Sequence, residues 1–360
     1  MRRVLIFAVI ASSLAVLVGL SSRSPLRWLA DAGSTSESSL KIVQRLSRPR
    51  NVTGLAWSPD GKKLATFSNY TTVITIWDAS DWHIIREFRR NSNGYDGNNF
   101  VWLSSGQILT PAAPQSQEDN RFSLSLWDPE SGGLVKNIPG PDGGNTLPLN
   151  DAMFFGASED NATVAMAIFQ ARGKVFLLDS RTWSIRTTLT LPQSDNRIDF
   201  PNAFSFAAKH LAVGTISGKL DIFDLASNTL ERTITAFPNG LATGVESVAY
   251  NPDGSLLAAA PSYTLVNIPK IGDPLRVWRT QTGELATTFA SDSGTFRQLA
   301  WSPDGNLLAA AGDDRTLSVW SMRSKKADLF QWLAGNVFAA SFSRDGTLAA
   351  AAGDQVVVLK

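Results

Sequence analysis

The chain contains no cysteine and only two histidines, His83 and His210, among its 360 residues. The absence of cysteine excludes disulfide bonds, thiolate metal ligands and cysteine nucleophiles, and it is compatible with an oxidising compartment. Neither histidine is accompanied by a second histidine or by a nucleophile motif, which argues against a zinc site and against a Ser-His-Asp triad. The sequence therefore predicts no catalytic residue, no metal site and no cofactor.

An excess of one charge is also absent. Lysine and arginine number 33 and aspartate and glutamate 32. The first 39 residues hold four basic and two acidic residues, so the remainder has 29 and 30. A surface that holds nucleic acid needs clustered positive charge, and we therefore expect no nucleic-acid partner.

A long hydrophobic run occurs once, at the amino end. Arg2 and Arg3 precede the uncharged stretch 4–20, which as a helix would be about 25 Å long. This pattern predicts a membrane anchor or signal segment over residues 1–22 and a flexible linker over 23–39. The two arginines predict an exported body that faces the periplasm or the extracellular side. A retained anchor is favoured because no good cleavage site directly follows the run; cleavage would make the protein secreted.

Four similar segments mark an internal repeat. Residues 55–61, 248–254 and 299–305 end in Pro-Asp-Gly, and residues 340–346 end in Arg-Asp-Gly. Such endings predict tight turns between β-strands, because glycine takes a left-handed backbone conformation without steric cost. The four turn aspartates, Asp60, Asp253, Asp304 and Asp345, are therefore predicted to shape the turns rather than to bind metal.

Seven similar strand endings indicate seven repeat units. Downstream of the turns come apolar strands that end at Trp77, Trp127, Leu178, Phe223, Trp278, Trp320 and Leu359, spaced 39 to 55 residues apart. A mean unit of about 46 residues suits a four-stranded blade. The sequence thus predicts an all-β, seven-bladed β-propeller of antiparallel blades over residues 40–360. The last unit lacks a fourth strand, and residues 40–46 are predicted to supply it and close the ring.

These units resemble WD40 repeats, in the form with Ser-Pro-Asp-Gly turns. The resemblance covers residues 40–360 and is strongest at 52–78 and 295–321, where Asp314-Arg315-Thr316 precedes Leu317-Ser318-Val319-Trp320. The chain departs from the family in two ways: it lacks the Gly-His pair, and only Trp77-Asp78 and Trp127-Asp128 carry the dipeptide that names the repeat. The resemblance implies a non-catalytic scaffold for protein-protein interaction. Apart from the resemblance, six tryptophans at equivalent strand positions are predicted to pack between blades: Trp57, Trp77, Trp127, Trp278, Trp301 and Trp320.

Loop length predicts where a partner binds. First-to-second and third-to-fourth strand turns are short and share one face, whereas the long loops 89–99, 112–121, 138–150, 192–203, 237–244 and 261–274 share the other. Long loops on a rigid ring commonly carry function, and aromatic residues and arginine anchor interfaces. Mixed charge there favours a protein or peptide partner. The predicted contact residues are Arg89, Tyr95, Arg121, Arg197, Phe237, Tyr263 and Lys270.

An alternative function remains open. Propellers also host hydrolases and lactonases, with a carboxylate or metal site at the mouth of the central channel. Asp119, Asp199 and Asp273 on the long-loop face are the carboxylates that could serve. No acidic position recurs from blade to blade, so the scaffold is the favoured interpretation.

Overall fold

The computed structural model describes residues 40–47, 51–68, 71–90, 100–112, 123–139, 153–168, 171, 173–193, 199–238, 244–262, 274–289, 296–313, 315–331 and 335–360. They form one compact unit, Leu40–Lys360. The predicted anchor and linker lie outside the described residues. In the described part of the chain, no helix has the length and apolar composition needed to cross a membrane.

The described residues form 28 strands in seven four-stranded antiparallel sheets, which are the seven predicted blades. In the first six blades, the four strands follow one another in the sequence. Blades 1 to 3 comprise β2 (Gly54–Trp57), β3 (Lys63–Ser68), β4 (Val73–Asp78) and β5 (Ile84–Arg89); β6 (Val101–Trp102), β7 (Ile108–Ala112), β8 (Ser123–Trp127) and β9 (Leu134–Pro139); and β10 (Met153–Ala157), β11 (Thr163–Ile168), β12 (Lys174–Asp179) and β13 (Ile185–Thr190).

Blades 4 to 6 repeat this order. They comprise β14 (Pro201–Ala207), β15 (His210–Thr215), β16 (Lys219–Asp224) and β17 (Thr229–Thr235); β18 (Gly244–Tyr250), β19 (Leu256–Ser262), β20 (Leu275–Arg279) and β21 (Leu285–Phe289); and β22 (Phe296–Trp301), β23 (Leu307–Gly312), β24 (Thr316–Ser321) and β25 (Ala327–Gln331). First strands of neighbouring blades contact one another around the central axis at six of the seven junctions.

Blade 7 confirms the predicted closure of the ring. It combines β26 (Val337–Phe342), β27 (Leu348–Ala352) and β28 (Gln355–Leu359) with the first strand of the chain, β1 (Ile42–Ser47). The β1–β28 ladder runs from the Ile42–Leu359 pair to the Ser47–Gln355 pair. Beyond it, the Lys41 N–H donates to the Lys360 carbonyl at 2.7 Å. The first strand therefore covers what would otherwise be an open sheet edge.

The Asp-Gly turns have a common hydrogen-bond pattern that explains their recurrence. In blade 1 the Ser58 hydroxyl donates to Asp60 Oδ1 at 2.6 Å and accepts the N–H of Lys63 at 2.9 Å, while Gly61 has a φ of 71°. Ser302 and Asp304 repeat the side-chain bond in blade 6 at 2.5 Å. In both turns the serine hydrogen bond is the largest effect that lowers the pKa of the aspartate. The predicted structural role of these aspartates is confirmed.

The core lies between blades rather than within one central cluster. Seven clusters of buried side chains each draw on two adjacent blades. Alanines of the second strands, such as Ala309, Ala310 and Ala311, have no exposed surface. Small side chains there let neighbouring sheets approach closely near the axis.

The tryptophans predicted to pack between blades fall into two sets rather than one. Four lie last or next to last in third strands and are 3 to 6% exposed: Trp77, Trp127, Trp278 and Trp320. The other two end first strands and donate Nε1–H to a carbonyl of the preceding blade at 3.0 Å, Trp57 to Ser341 and Trp301 to Ala249. Trp57 is only half-buried. The first-strand tryptophans therefore act as hydrogen-bonded ties between blades as well as packing groups.

Candidate partner-binding face

The antiparallel order of the strands separates the connections into two faces. The short-turn face holds the first-to-second and third-to-fourth strand turns, none longer than the six residues 128–133. The long-loop face holds the second-to-third strand loops and the connections between blades. The longest of them are 90–100, 113–122, 140–152, 191–200 and 263–274. The predicted separation of short turns from long loops is confirmed.

The structure describes two of the seven predicted contact residues. Arg89 is exposed and ends β5 at the edge of the long-loop face. Tyr95, Arg121, Arg197, Tyr263 and Lys270 lie outside the described residues and stay predictions.

Phe237 does not lie on the surface. Its side chain is 4% exposed and belongs to the core cluster between blades 4 and 5. The guanidinium of Arg276 lies 5.3 Å from the ring centroid, and the Phe237 N–H donates to the Gly218 carbonyl at 3.0 Å. Phe237 is therefore removed from the proposed contact set, because the chain folds this loop residue back onto the core.

A rim of irregular backbone, which the sequence did not predict, lines the part of the channel mouth formed by blades 4 to 7 on the long-loop face. The first strands of blades 4 to 7 each contain a shift in register at the same point. Each shift leaves one residue without a partner in the ladder. These residues are Asn202, Glu246, Arg297 and Phe338. Such bulges commonly redirect side chains near functional sites.

Arg297 organises the polar part of this rim. Its Nε and Nη2 donate to the two oxygens of Asp313 at 2.9 and 2.7 Å, and its Nη1 donates to Glu246 Oε1 at 3.0 Å. Although burial opposes the charged form, Asp313 and Glu246 raise the pKa of Arg297. Because Glu246 belongs to blade 5 and Arg297 to blade 6, this cluster links two blades and presents fixed charges at the mouth.

Asn202 makes the corresponding link one blade earlier. Its Nδ2 donates to the Val245 carbonyl at 2.8 Å, joining the first strands of blades 4 and 5. The other Glu246 oxygen, Oε2, accepts a bond from the Ser262 hydroxyl at 2.8 Å. The rim is thus held by hydrogen bonds across successive blades and forms a preorganised polar surface.

The carboxylates considered for catalysis do not form a described metal site. Asp199 is 4% exposed and accepts hydrogen bonds from the Ser217 hydroxyl and the Phe200 N–H. Asp119 and Asp273 lie outside the described residues. Within the described ranges, no three or more His, Cys, Asp or Glu side chains are grouped so that they could hold a metal ion. The hydrolase or lactonase alternative stays a prediction.

The two histidines occupy the short-turn side of the ring. His83 is exposed, and its Nδ1 lies 2.6 Å from Asp81, whose hydrogen bond raises the pKa of the histidine. His210 begins β15, the position that Lys63 holds in β3, and its Nε2 lies 3.0 Å from Glu231. Both histidines therefore interact with carboxylates on outer parts of their own blades.

Asp221, in the third strand of blade 4, is a buried acid with an incomplete set of hydrogen bonds. It is 1% exposed, and its Oδ1 accepts a bond from the Thr233 hydroxyl at 2.6 Å. Its Oδ2 has no hydrogen-bond partner among the described residues. Burial raises the pKa of Asp221, and the nearby charge of Asp199 adds to that effect. Hydroxyl residues occupy the same strand position in blades 1 and 2, as Thr75 and Ser125.

We expect the substitution Asp221→Asn to raise the free energy of unfolding at pH 7 by about 1–2 kcal/mol, because it removes a poorly compensated buried charge. A carboxyl group whose pKa is higher in the folded than in the unfolded state destabilises the fold once the pH exceeds the unfolded-state pKa. The stability gained by Asp221→Asn therefore shrinks toward zero as the pH falls to about 4. Urea denaturation at both pH values measures it.

Asp224→Asn in the same strand is the control, and it is expected to lower the free energy of unfolding at pH 7. Hydrogen bonds from the Ala226 and Ser227 backbone lower the pKa of Asp224. Its stabilising effect is therefore present at neutral pH and is lost as pH falls through that lowered pKa. A loss of stability in Asp221→Asn at pH 7 would contradict the account of its burial.

Comparison with known proteins bears directly on this seven-bladed arrangement. The family model described as WD domain, G-beta repeat matches residues 40–78 and 283–321. Each match spans the outer strand of one blade and the first three strands of the next, including a Pro-Asp-Gly turn. The chain is a seven-bladed β-propeller with WD40 repeats at these two positions.

Relatives of this propeller share only part of its length. It is 21% identical over 222 residues to autophagy-related protein 16 of Arabidopsis thaliana, covering 62% of this chain and 39% of that protein. It is 27% identical over 172 residues to WD repeat-containing protein SL1-17 of Schistosoma mansoni, covering 47% and 49%. An uncharacterized WD repeat-containing protein of Synechocystis is 28% identical over 130 residues, covering 36% and 33%. The propeller thus aligns with less than half of each of these proteins.

Proposed function

We propose that this protein is a non-catalytic scaffold that binds a protein or peptide on its long-loop face, and that residues 1–22 tether it to a membrane with the propeller exported. WD-repeat relatives indicate a protein-interaction scaffold. The observation that carries the assignment of the face is the strand order, which gives the longest connections to one side of the ring.

The rigidity of the ring supports this proposal. Every blade packs against two neighbours through buried clusters, so loops on one face are displayed from a common frame. A frame that is already ordered loses less conformational freedom on binding, which favours affinity. The rim cluster of Glu246, Arg297 and Asp313 adds fixed charges of both signs, which suit a protein surface better than a ligand with one sign of charge.

The amino-terminal sequence supports the tether and the direction of export. Residues 4–20 are uncharged and lie between Arg2 and Arg3 on one side and Arg23 and Arg27 on the other. The proposed orientation, with the amino end in the cytoplasm, takes the pair that directly adjoins the run as the deciding charges. The absence of cysteine is compatible with a periplasmic or extracellular location. The near balance of charge beyond residue 39 gives no support to a nucleic-acid partner.

Crosslinked affinity capture from the native membrane fraction tests the binding face. One variant carries Tyr95→Ala, Arg197→Ala and Tyr263→Ala, all on long loops. The matched control carries Glu130→Ala, Arg181→Ala and Lys209→Ala, all exposed on short turns. We expect a specific partner to be captured by the parent and the control and lost from the long-loop variant by about tenfold or more, since anchor residues dominate binding. Equal capture by both variants would overturn the assignment of the face.

A further inference from the structure

The chain enters the propeller on the short-turn face. β1 pairs with β28, whose carboxyl end lies on that face, and Ile42 stands opposite Leu359. Lys41 and Lys360 exchange two backbone hydrogen bonds, at 2.7 and 3.0 Å, directly beyond that pair. The point at which residues 1–39 connect to the ring is therefore fixed at the short-turn edge of blade 7.

Exposed cations lie on the short-turn face of blades 6 and 7, the two blades whose shared core cluster packs against Leu40. We call them the basic sector: Arg323 and Lys326 on the last turn of blade 6, Arg344 on the first turn of blade 7, and Lys41 and Lys360 at the paired strand ends. The carboxylates on the short turns of blades 6 and 7 are Asp304 and Asp345. Asp304 bonds to Ser302 and Asn306, and Asp345 lies 3.7 Å from the Lys360 ammonium. The basic sector therefore keeps an excess of positive charge.

The charge on the short turns changes from positive to negative around the ring. The third-to-fourth strand turn of blade 2 carries Asp128 and Glu130, whereas the equivalent turn of blade 6 carries Ser321 and Arg323. Blade 3 adds Glu159, Asp160 and Asp179 against the single cation Arg181. Among the seven blades, blade 3 lies farthest around the ring from both blades 6 and 7. The positive charge is thus concentrated on the side where the tether joins.

Apolar side chains lie beside the same point. Ile42 is 38% exposed and Val43 is 51% exposed, directly after Lys41 in the sequence. Aliphatic residues next to cations are typical of surfaces that settle at the boundary between water and lipid headgroups.

We propose that the basic sector binds anionic phospholipid headgroups of the membrane that holds the tether. The ring then contacts the bilayer through the short-turn edge of blades 6 and 7 and turns its long loops toward the aqueous side. Basic residues close to a membrane segment are drawn to anionic lipid, and this attraction falls off within a Debye length. The acidic turns of blades 2 and 3 are repelled, so the ring is tilted. This inference rests on the tether in the proposed function.

A second copy of the chain, with its acidic turns against this sector, is the competing occupant. The observations favour lipid because the cations gather at the covalent connection to the predicted anchor. Exposed aliphatic residues do not decide the matter, since Leu134 and Leu285 begin the outer strands of other blades in the same way. A docking site for another copy has no reason to coincide with that connection.

Fluorescence transfer to labelled lipid headgroups tests the proposal with the full chain in nanodiscs. The chain has no cysteine, so Ser324→Cys and Ser131→Cys each give one labelling site. These serines are exposed and occupy the same position in the equivalent turns of blades 6 and 2. We expect transfer from position 324 to exceed that from position 131 when the lipid contains phosphatidylglycerol. The difference is expected to shrink in phosphatidylcholine alone and in high salt.

Charge variants identify the cause. Arg323→Glu with Lys326→Glu is expected to abolish the difference between the two positions. Lys325 is left unchanged because its ammonium lies 6.0 Å from the Phe289 ring centroid. Arg181→Glu with Lys209→Glu makes the same change in net charge on exposed turns of blades 3 and 4 and is expected to keep the difference. Equal transfer from both positions in phosphatidylglycerol would overturn the proposal while leaving the tether intact.

Two further outcomes separate the proposals. If the chain does not enter nanodiscs, the tether is wrong, and flotation of the same chain with phosphatidylglycerol vesicles becomes the readout. A loss of about tenfold in flotation for Arg323→Glu with Lys326→Glu would then support the lipid site, and unchanged flotation would overturn it. If the full chain instead forms a dimer without lipid, and Arg323→Glu with Lys326→Glu converts this dimer to monomer while fluorescence transfer is unchanged, a second copy occupies the basic sector. In that case the lipid proposal fails.

Discussion

Removal of residues 40–47 is expected to abolish cooperative unfolding, because the last blade then loses its fourth strand. β28 would expose a sheet edge along five ladder pairs, and the cluster between blades 7 and 1 would lose Leu46, which is 3% exposed. An uncovered edge and an open apolar face favour aggregation over folding. Circular dichroism and urea denaturation measure the effect.

Removal of residues 1–39 is the control for this deletion. These residues lie outside the compact unit Leu40–Lys360, so the shortened chain is expected to unfold with the same midpoint as the parent. Leu46→Ala provides a graded intermediate, with an expected loss of about 2–5 kcal/mol in the free energy of unfolding. A cooperative transition in the chain that lacks residues 40–47 would contradict the closure of the ring.

Trp320→Ala is expected to lower the free energy of unfolding by about 3–5 kcal/mol, the range for removal of a large buried aromatic side chain. Trp320 is 3% exposed and lies in the cluster between blades 5 and 6. Its ring centroid is 5.2 Å from that of Phe289 and 5.8 Å from that of Phe296. Urea denaturation measures the loss.

Trp320→Phe is the matched variant, because it keeps an aromatic ring between Phe289 and Phe296. Its expected loss is clearly smaller than that of the alanine variant. A loss of less than about 1 kcal/mol for Trp320→Ala would mean that the interface between blades 5 and 6 relaxes around the missing ring. That result would contradict the assignment of the main apolar core to the interfaces between blades.

The blades could be predicted because their signals are local. A serine, an aspartate and a glycine within four residues determine the turn at 58–61, as the bonds from Ser58 to Asp60 show. The closing strand could be predicted because residues 40–46 have strand character and the last repeat lacks a fourth strand. Both inferences use only the order of residues along the chain, which the repeat makes visible.

The rim and the burial of Phe237 could not be predicted in the same way, because both depend on contacts between blades. Phe237 follows a polar strand, and only the approach of Arg276 and the next blade shows that its ring turns inward. Glu246 and Arg297 occupy the same position in the first strands of adjacent blades. Opposite charges at that repeat position were a signal that alignment of the units could have revealed.

An engineered disulfide tests the central claim, which is that the chain closes the ring with its own first strand. Ser47 and Gln355 face each other at one end of the β1–β28 ladder, and the chain has no other cysteine to interfere. Mild oxidation of the variant with Ser47→Cys and Gln355→Cys is expected to give an intramolecular bond, identified by peptide mapping. Ser47→Cys with Lys360→Cys, at opposite ends of the ladder, is expected to give none. A failure of the first pair to bond, or a bond between two chains, would contradict closure of the propeller by its own strand.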